Sequence, residues 1–218
     1  MGEQHMKKAV LAFLIGCVAT YVIGAYTDQV ETSLAQGIIR LHVIANSDTD
    51  ADQQLKYKVR DRIVTETGAL FADCQTIGAS RTELCKHLEE IEQIAQAEVY
   101  ANGYDYPVTV EFGDSEFPTK VYGNVTLPAG TYEALKVKIG SAQGQNWWCV
   151  LFPPLCFVDE ATAELPEQSE QQLKDGMGET EYDMITKTDE LPVEVRFKAY
   201  EMWQTGRMHL RAMLARLD

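Results

Sequence analysis

From Ile38 to Ala45 the chain alternates, with Ile39, Leu41, Val43 and Ala45 on one side and Arg40, His42 and Ile44 on the other. That period of two is the mark of a half-buried strand. It stops at Asn46-Ser47-Asp48, where the Ser47-x-x-Asp50 spacing resembles a capping box and opens a helix over 50–71 carrying Leu55, Val59, Ile63 and Leu70. A second helix is expected over 82–101, with Leu84, Leu88, Ile91, Ile94 and Ala95 on one face and Gly103 as its stop. Beyond it the period returns to two, giving strands over 106–112, 120–127, 132–139 and 147–152. Gly113-Asp114, Pro128-Ala129-Gly130 and Gly140 punctuate them. This order implies an α+β domain over 38–158, a mostly antiparallel sheet with helices packed on one face.

The pattern changes twice more. Residues 159–193 hold few large apolar groups, and from Asp159 to Glu194 twelve carboxylates face only Lys174 and Lys187, so the segment reads as a solvated acidic linker. Over 194–217, Val195, Ala199, Met202, Trp203, Leu210, Met213, Leu214 and Leu217 form a wide apolar stripe flanked by Arg196, Lys198, Arg207, Arg211 and Arg216. This amphipathic helix either docks back on the domain or meets a partner or membrane surface. At the other end, Lys7 and Lys8 precede the uncharged run AVLAFLIGCVATYVIGA, residues 9–25, so residues 1–25 read as a signal peptide or membrane anchor. Export follows from either; Leu14-Ile15-Gly16-Cys17 also resembles a relaxed lipobox.

With 19 Lys and Arg against 33 Asp and Glu, the net charge of −14 excludes a nucleic-acid partner. Export changes the reading of the cysteines. Cys17 lies in the export segment, leaving Cys74, Cys85, Cys149 and Cys156 in a compartment that permits disulfides. Pro153-Pro154 can turn the chain so that Cys149 meets Cys156, and closing so short a loop stabilises by about 2.5 kcal/mol. The alternative is two buried free thiols.

Catalytic and metal motifs fail on their spacing. Asp48-x-Asp50-x-Asp52 suggests a calcium loop, but its sixth position is Gln53 and its twelfth Val59. Cys74, Cys85 and His87 lack a fourth ligand at zinc-site spacing. The serine of Gly140-Ser141-Ala142-Gln143-Gly144 is misplaced for a nucleophile elbow. We therefore expect no catalytic residue, no cofactor and no metal, with His42 near Asn46 and Asp48 as the one acid-base candidate. Trp147 and Trp148 face opposite sides of a strand, so one enters the core while the other faces outward beside the Pro-containing loop, as a rigid aromatic anchor for a partner. Alternatively both indoles pack inside.

Two stretches carry a resemblance. RLHVIANSD at 40–48, continuing through Asp52-Gln53, Lys56 and Val59-Arg60-Asp61, and YGN at 122–124 through PAGTYEA at 128–134 into NWWCVLFPPLCF at 146–157, resemble stage II sporulation protein R. The resemblance covers about 38–158 and implies a signalling protein made in the forespore and exported into the space between forespore and mother-cell membranes. There it would activate a membrane-embedded aspartic protease that processes a sigma-factor precursor, with no catalysis and no small-molecule substrate of its own. On that reading the expected docking face holds Arg40, Asn46, Asp48 and one of Trp147 or Trp148. The alternative is an exported enzyme such as a cell-wall hydrolase, using His42 with Asp48 or a thiol.

Overall fold

The computed structural model describes residues 33–156 and 165–186, together with 14–16 and 18. The rest of the expected export segment, the expected helix over 194–217 and the flanks of the expected linker lie outside the described residues. The described elements are β1 (Ile39–Ile44), α1 (Asp50–Phe71), α2 (Ile77–Lys86), α3 (Leu88–Ala101), β2 (Val108–Phe117), β3 (Lys120–Tyr122), β4 (Val125–Leu127), β5 (Gly130–Ile139), β6 (Asn146–Phe152), α4 (Glu167–Met177) and α5 (Glu179–Thr186). The fold is α+β, as the periodicity implies.

Helix α1 starts where the sequence places it, but its cap is Thr49, whose hydroxyl accepts the Asp52 amide proton. The expected second helix is two. Thr76 caps α2, and the chain leaves helical geometry at His87, which ends α2 and begins α3. Gly103, at φ 82°, terminates the pair.

Four strands form one sheet in the order β2-β5-β1-β6. β2–β5 and β1–β6 are antiparallel, while β1–β5 is parallel, the long connection between them running through three helices and three strands. β3 and β4 make a separate hairpin turning at Gly123, so the expected strand over 120–127 is folded on itself.

Leu41, Val43, Leu135, Val137 and Cys149 line the face under α1 and α3. Phe71 of α1 meets Phe152 edge-on, and α3 covers the β2 edge with Gln96 and Glu92, which accept the amide protons of Val108 and Val110. The opposite, outer face carries Arg40, His42 and Trp148, and its Arg40 end is closed by the curled end of β2 and the hairpin.

Part of the expected acidic linker is folded. Leu173 and Met177 of α4 and Tyr182 and Ile185 of α5 are buried, α5 lies against β4, and the Ser33 hydroxyl donates to the Met177 carbonyl at 3.0 Å. Few apolar groups suffice here because a preformed surface receives them. Among the described residues none of the segment's carboxylates is buried, and Lys174 bridges to Glu170.

Candidate functional site

The turn after β1 builds a clamp at one end of the sheet. Asn46 Nδ2 donates to Asp52 Oδ2 at 2.8 Å, and the Ser47 hydroxyl donates to the same oxygen at 2.5 Å. Across the loop joining β5 to β6, the Ser141 amide donates to Asn46 Oδ1, the Ser141 hydroxyl to the Asn46 carbonyl, and the Gln145 amide to Asp48 Oδ1. Gly140 sits at φ 58° with space for a Cβ only 2.3 Å from Asn46 Oδ1, and a Cβ on Gly144 would lie 2.2 Å from the Ser47 carbonyl. Only glycine admits so close an approach of the two loops.

Burial presses the Asp52 carboxyl toward its neutral form, yet the hydrogen bonds from Ser47 and Asn46 prevail and hold it below the usual range. Lys56 is buried beneath the clamp, donating to Gln53 Oε1 at 2.6 Å and to the Gln145 carbonyl at 3.1 Å, and burial lowers its pKa.

Beside the clamp runs β6, an edge strand. Its two tryptophans face opposite sides, and both are half-buried. Trp147 meets Tyr57 edge-on at 5.5 Å, with the Arg60 guanidinium 4.2 Å above its ring. Trp148 stacks on His42 at 5.9 Å, with the Lys120 ammonium 5.3 Å from its ring. Ring contacts and cations hold the indoles; both indole N–H groups are buried without a hydrogen-bond acceptor.

A disulfide joins Cys149 to Cys156, whose Cα atoms are 5.1 Å apart. The loop it closes, with a cis bond before Pro153, folds back along the strand so that the Leu155 amide donates to the Val150 carbonyl. The Pro-Pro run thus caps the sheet edge, and the bridge pins the cap. Cys74 is buried and Cys85 exposed, both as free thiols.

Arg40 departs from its expected place on an exposed face. It is completely buried, its guanidinium sandwiched 4.0 Å from the Phe117 ring and 4.7 Å from that of Tyr132, with one nitrogen donating to the Tyr122 hydroxyl at 3.1 Å. The alternation that turns Arg40 away from the helices is correct, but the curled end of β2 and the hairpin cover that side. Asn46 is spent within the clamp, whereas Asp48 is exposed and shares the end of the sheet with both tryptophans.

His42 does not engage Asp48 or a thiol. Its Nε2 donates to Asn146 Oδ1 at 2.8 Å, and its Nδ1 accepts from the Ser115 hydroxyl at 3.2 Å. Burial lowers its pKa, opposed by the Asn146 bond and reinforced by Lys136 and Lys138. Lys136 and Asn146 escape a sequence reading because cross-strand register, invisible in one sequence, brings them beside His42, and Ser115 reaches it from the curled end of β2. Elsewhere, a cleft of about 870 Å³ is lined by Ala35, Arg81, Asp114 and Glu133, with Arg81 paired to Glu133.

Comparison with known proteins bears on these residues as a set. Residues 35–162 match the family described as Stage II sporulation protein R. Over 134 residues the chain is 42% identical to stage II sporulation protein R of Bacillus subtilis (strain 168), an alignment covering 62% of this chain and 60% of that relative. The chain thus spans less than two thirds of the relative's length. No solved structure matches.

Proposed function

Because the chain belongs to the stage II sporulation protein R family, we propose that it is a non-catalytic sporulation signal, exported from the forespore into the intermembrane space. There it activates a membrane-embedded aspartic protease that processes a mother-cell sigma-factor precursor. Residues 9–25 supply export, either cleaved or retained as an anchor. The docking face is the end of the sheet bearing Asp48, Trp147 and Trp148, with Asn46 positioning it and Arg40 supporting it from within.

The observation that carries this reading is the rigid presentation of two half-exposed indoles on a capped edge strand, within the region that matches the family. Pre-fixed aromatics lose little side-chain entropy on docking and are frequent energetic anchors of interfaces. The test is a Trp147→Ala, Trp148→Ala double variant, secreted at the level of the parent in sporulating cells. Precursor processing at least tenfold slower supports the docking face, and processing at the parental rate removes it.

One observation favours a second reading, an exported hydrolase. The Ser115–His42–Asn146 chain sets a hydroxyl on an imidazole whose far nitrogen is held by an amide, an arrangement that can activate a nucleophile. Degradation of peptidoglycan by the purified protein, lost on His42→Ala, would bring this reading to the front.

A further inference from the structure

The outer face of the sheet gathers three lysines, Lys120, Lys136 and Lys138, and the one carboxylate beside them, Glu111, bridges Lys138 alone. Cross-strand register lays out two neighbouring rows on this face: Glu111, Lys136, His42 and Trp148, then Thr109, Lys138, Ile44 and Asn146. Strand β3 adds Lys120 above Trp148. Elsewhere among the described residues the lysines are engaged: Lys56 with Gln53, Lys58 with Asn102, Lys86 with Glu83 and Lys174 with Glu170. On the outer face Glu111 gives both oxygens to Lys138. Among the described residues, the ammonium groups of Lys120 and Lys136 make no hydrogen bond or ion pair.

In a chain of net charge −14 this is a local reversal of sign. A lone solvated lysine on a surface needs no partner, but these two flank groups that are already fixed. His42 has both nitrogens occupied, one by Ser115 and one by Asn146. Since Asn146 Oδ1 accepts from His42, the exposed amide turns its N–H donors outward. The patch therefore offers ammonium and amide donors around an indole, with its acceptors consumed.

We propose that this patch, formed by Lys120, Lys136, Asn146 and Trp148, binds an acidic segment of a protein partner, a side-chain carboxylate seating on the two ammonium groups beside the indole. Charge complementarity selects this occupant: a carboxylate takes donors from both lysines, and charge-assisted hydrogen bonds are the stronger kind. A protein segment can reach the patch alone. An anionic bilayer spreads its charge across the face and would also meet the exposed Glu111, together with the repulsion of the whole acidic chain. The inference rests on the reading of this end of the sheet as a docking face, and it names the chemistry of what docks.

The test is independent of sporulation. The full chain, labelled with nitrogen-15, is titrated by NMR with a glutamate-rich dodecapeptide at 50 and 300 mM NaCl. Expected are amide shifts concentrated at 120, 136 and 146–148, weakening at least fivefold at the higher salt. A Lys120→Ala, Lys136→Ala variant should raise the Kd at least fivefold, while Lys58→Ala, on the opposite side of the domain's helices, leaves it unchanged. The absence of shifts at millimolar peptide, or binding equal in the double variant, overturns the proposal. So does cosedimentation with vesicles of 30% phosphatidylglycerol that needs the same two lysines when the peptide does not bind, which assigns the patch to lipid. Because this assay reads binding alone, its failure is distinct from a failure of sigma-factor processing.

Discussion

Asp52 anchors the clamp at the start of α1, so Asp52→Ala is the sharpest probe of how this end of the sheet is held. The substitution removes one carboxylate oxygen that accepts from both Asn46 Nδ2 and the Ser47 hydroxyl. Hydrogen bonds to a charged group contribute about 1.5–3 kcal/mol each, and a carboxylate in the first helical turn adds about 0.5 kcal/mol through the helix dipole. Since the two bonds share one oxygen they do not add fully, and the expected loss is about 3 kcal/mol. Urea unfolding of the disulfide-intact protein at pH 7 measures it. Acid supplies a second signature. The folded pKa lies below the ordinary 3.8, so the stabilisation is fully present above that value and is lost as pH falls through the folded pKa. The gap between parent and variant should therefore narrow below about pH 4. A loss under about 0.5 kcal/mol at pH 7, or a gap that stays constant in acid, would refute the clamp.

Two further outcomes are expected. Mass spectrometry of an unreduced digest should show Cys149 linked to Cys156, and a Cys149→Ser, Cys156→Ser variant should unfold with about 2.5 kcal/mol less stability, from the entropy of the closed loop. For His42, whose pKa is depressed from 6.5 by burial and by the facing Lys136 and Lys138, the native state holds the neutral ring. Stability should be flat above about pH 6.5 and decline as pH drops through the folded pKa, because the unfolded chain then binds the extra proton. His42→Gln should flatten that decline in chemical denaturation at graded pH.

Local signals made α1 and the strand pattern legible. Four residues of turn and capping chemistry, from Asn46 to Thr49, precede a helix of regular apolar spacing, and its observed span, Asp50–Phe71, follows. The break at His87 has no glycine or proline to announce it, so one expected helix became two. Similarly, the alternation over 120–127 conceals a hairpin because Tyr122 and Val125 both point to the buried side on either leg. The separation of Trp147 and Trp148 onto opposite faces followed from strand periodicity alone. What covers each face did not. Arg40 is buried by Phe117, Tyr122 and Tyr132, residues some eighty positions away, and a single sequence does not carry that pairing. The acidic segment failed for a related reason. Leu173, Met177, Tyr182 and Ile185 are too few to form a core of their own, but they complete one beside β4.

The central claim, that this member of the stage II sporulation protein R family triggers sigma-factor processing, is tested most directly in Bacillus subtilis lacking its own relative of this chain. The gene for this chain is placed under a forespore promoter, and the mother-cell sigma-factor precursor is followed by immunoblot through sporulation. The account predicts that processing, absent in the deletion strain, is restored by the parent and not by the Trp147→Ala, Trp148→Ala variant. Precursor that stays unprocessed although the parent chain is made and exported would contradict it.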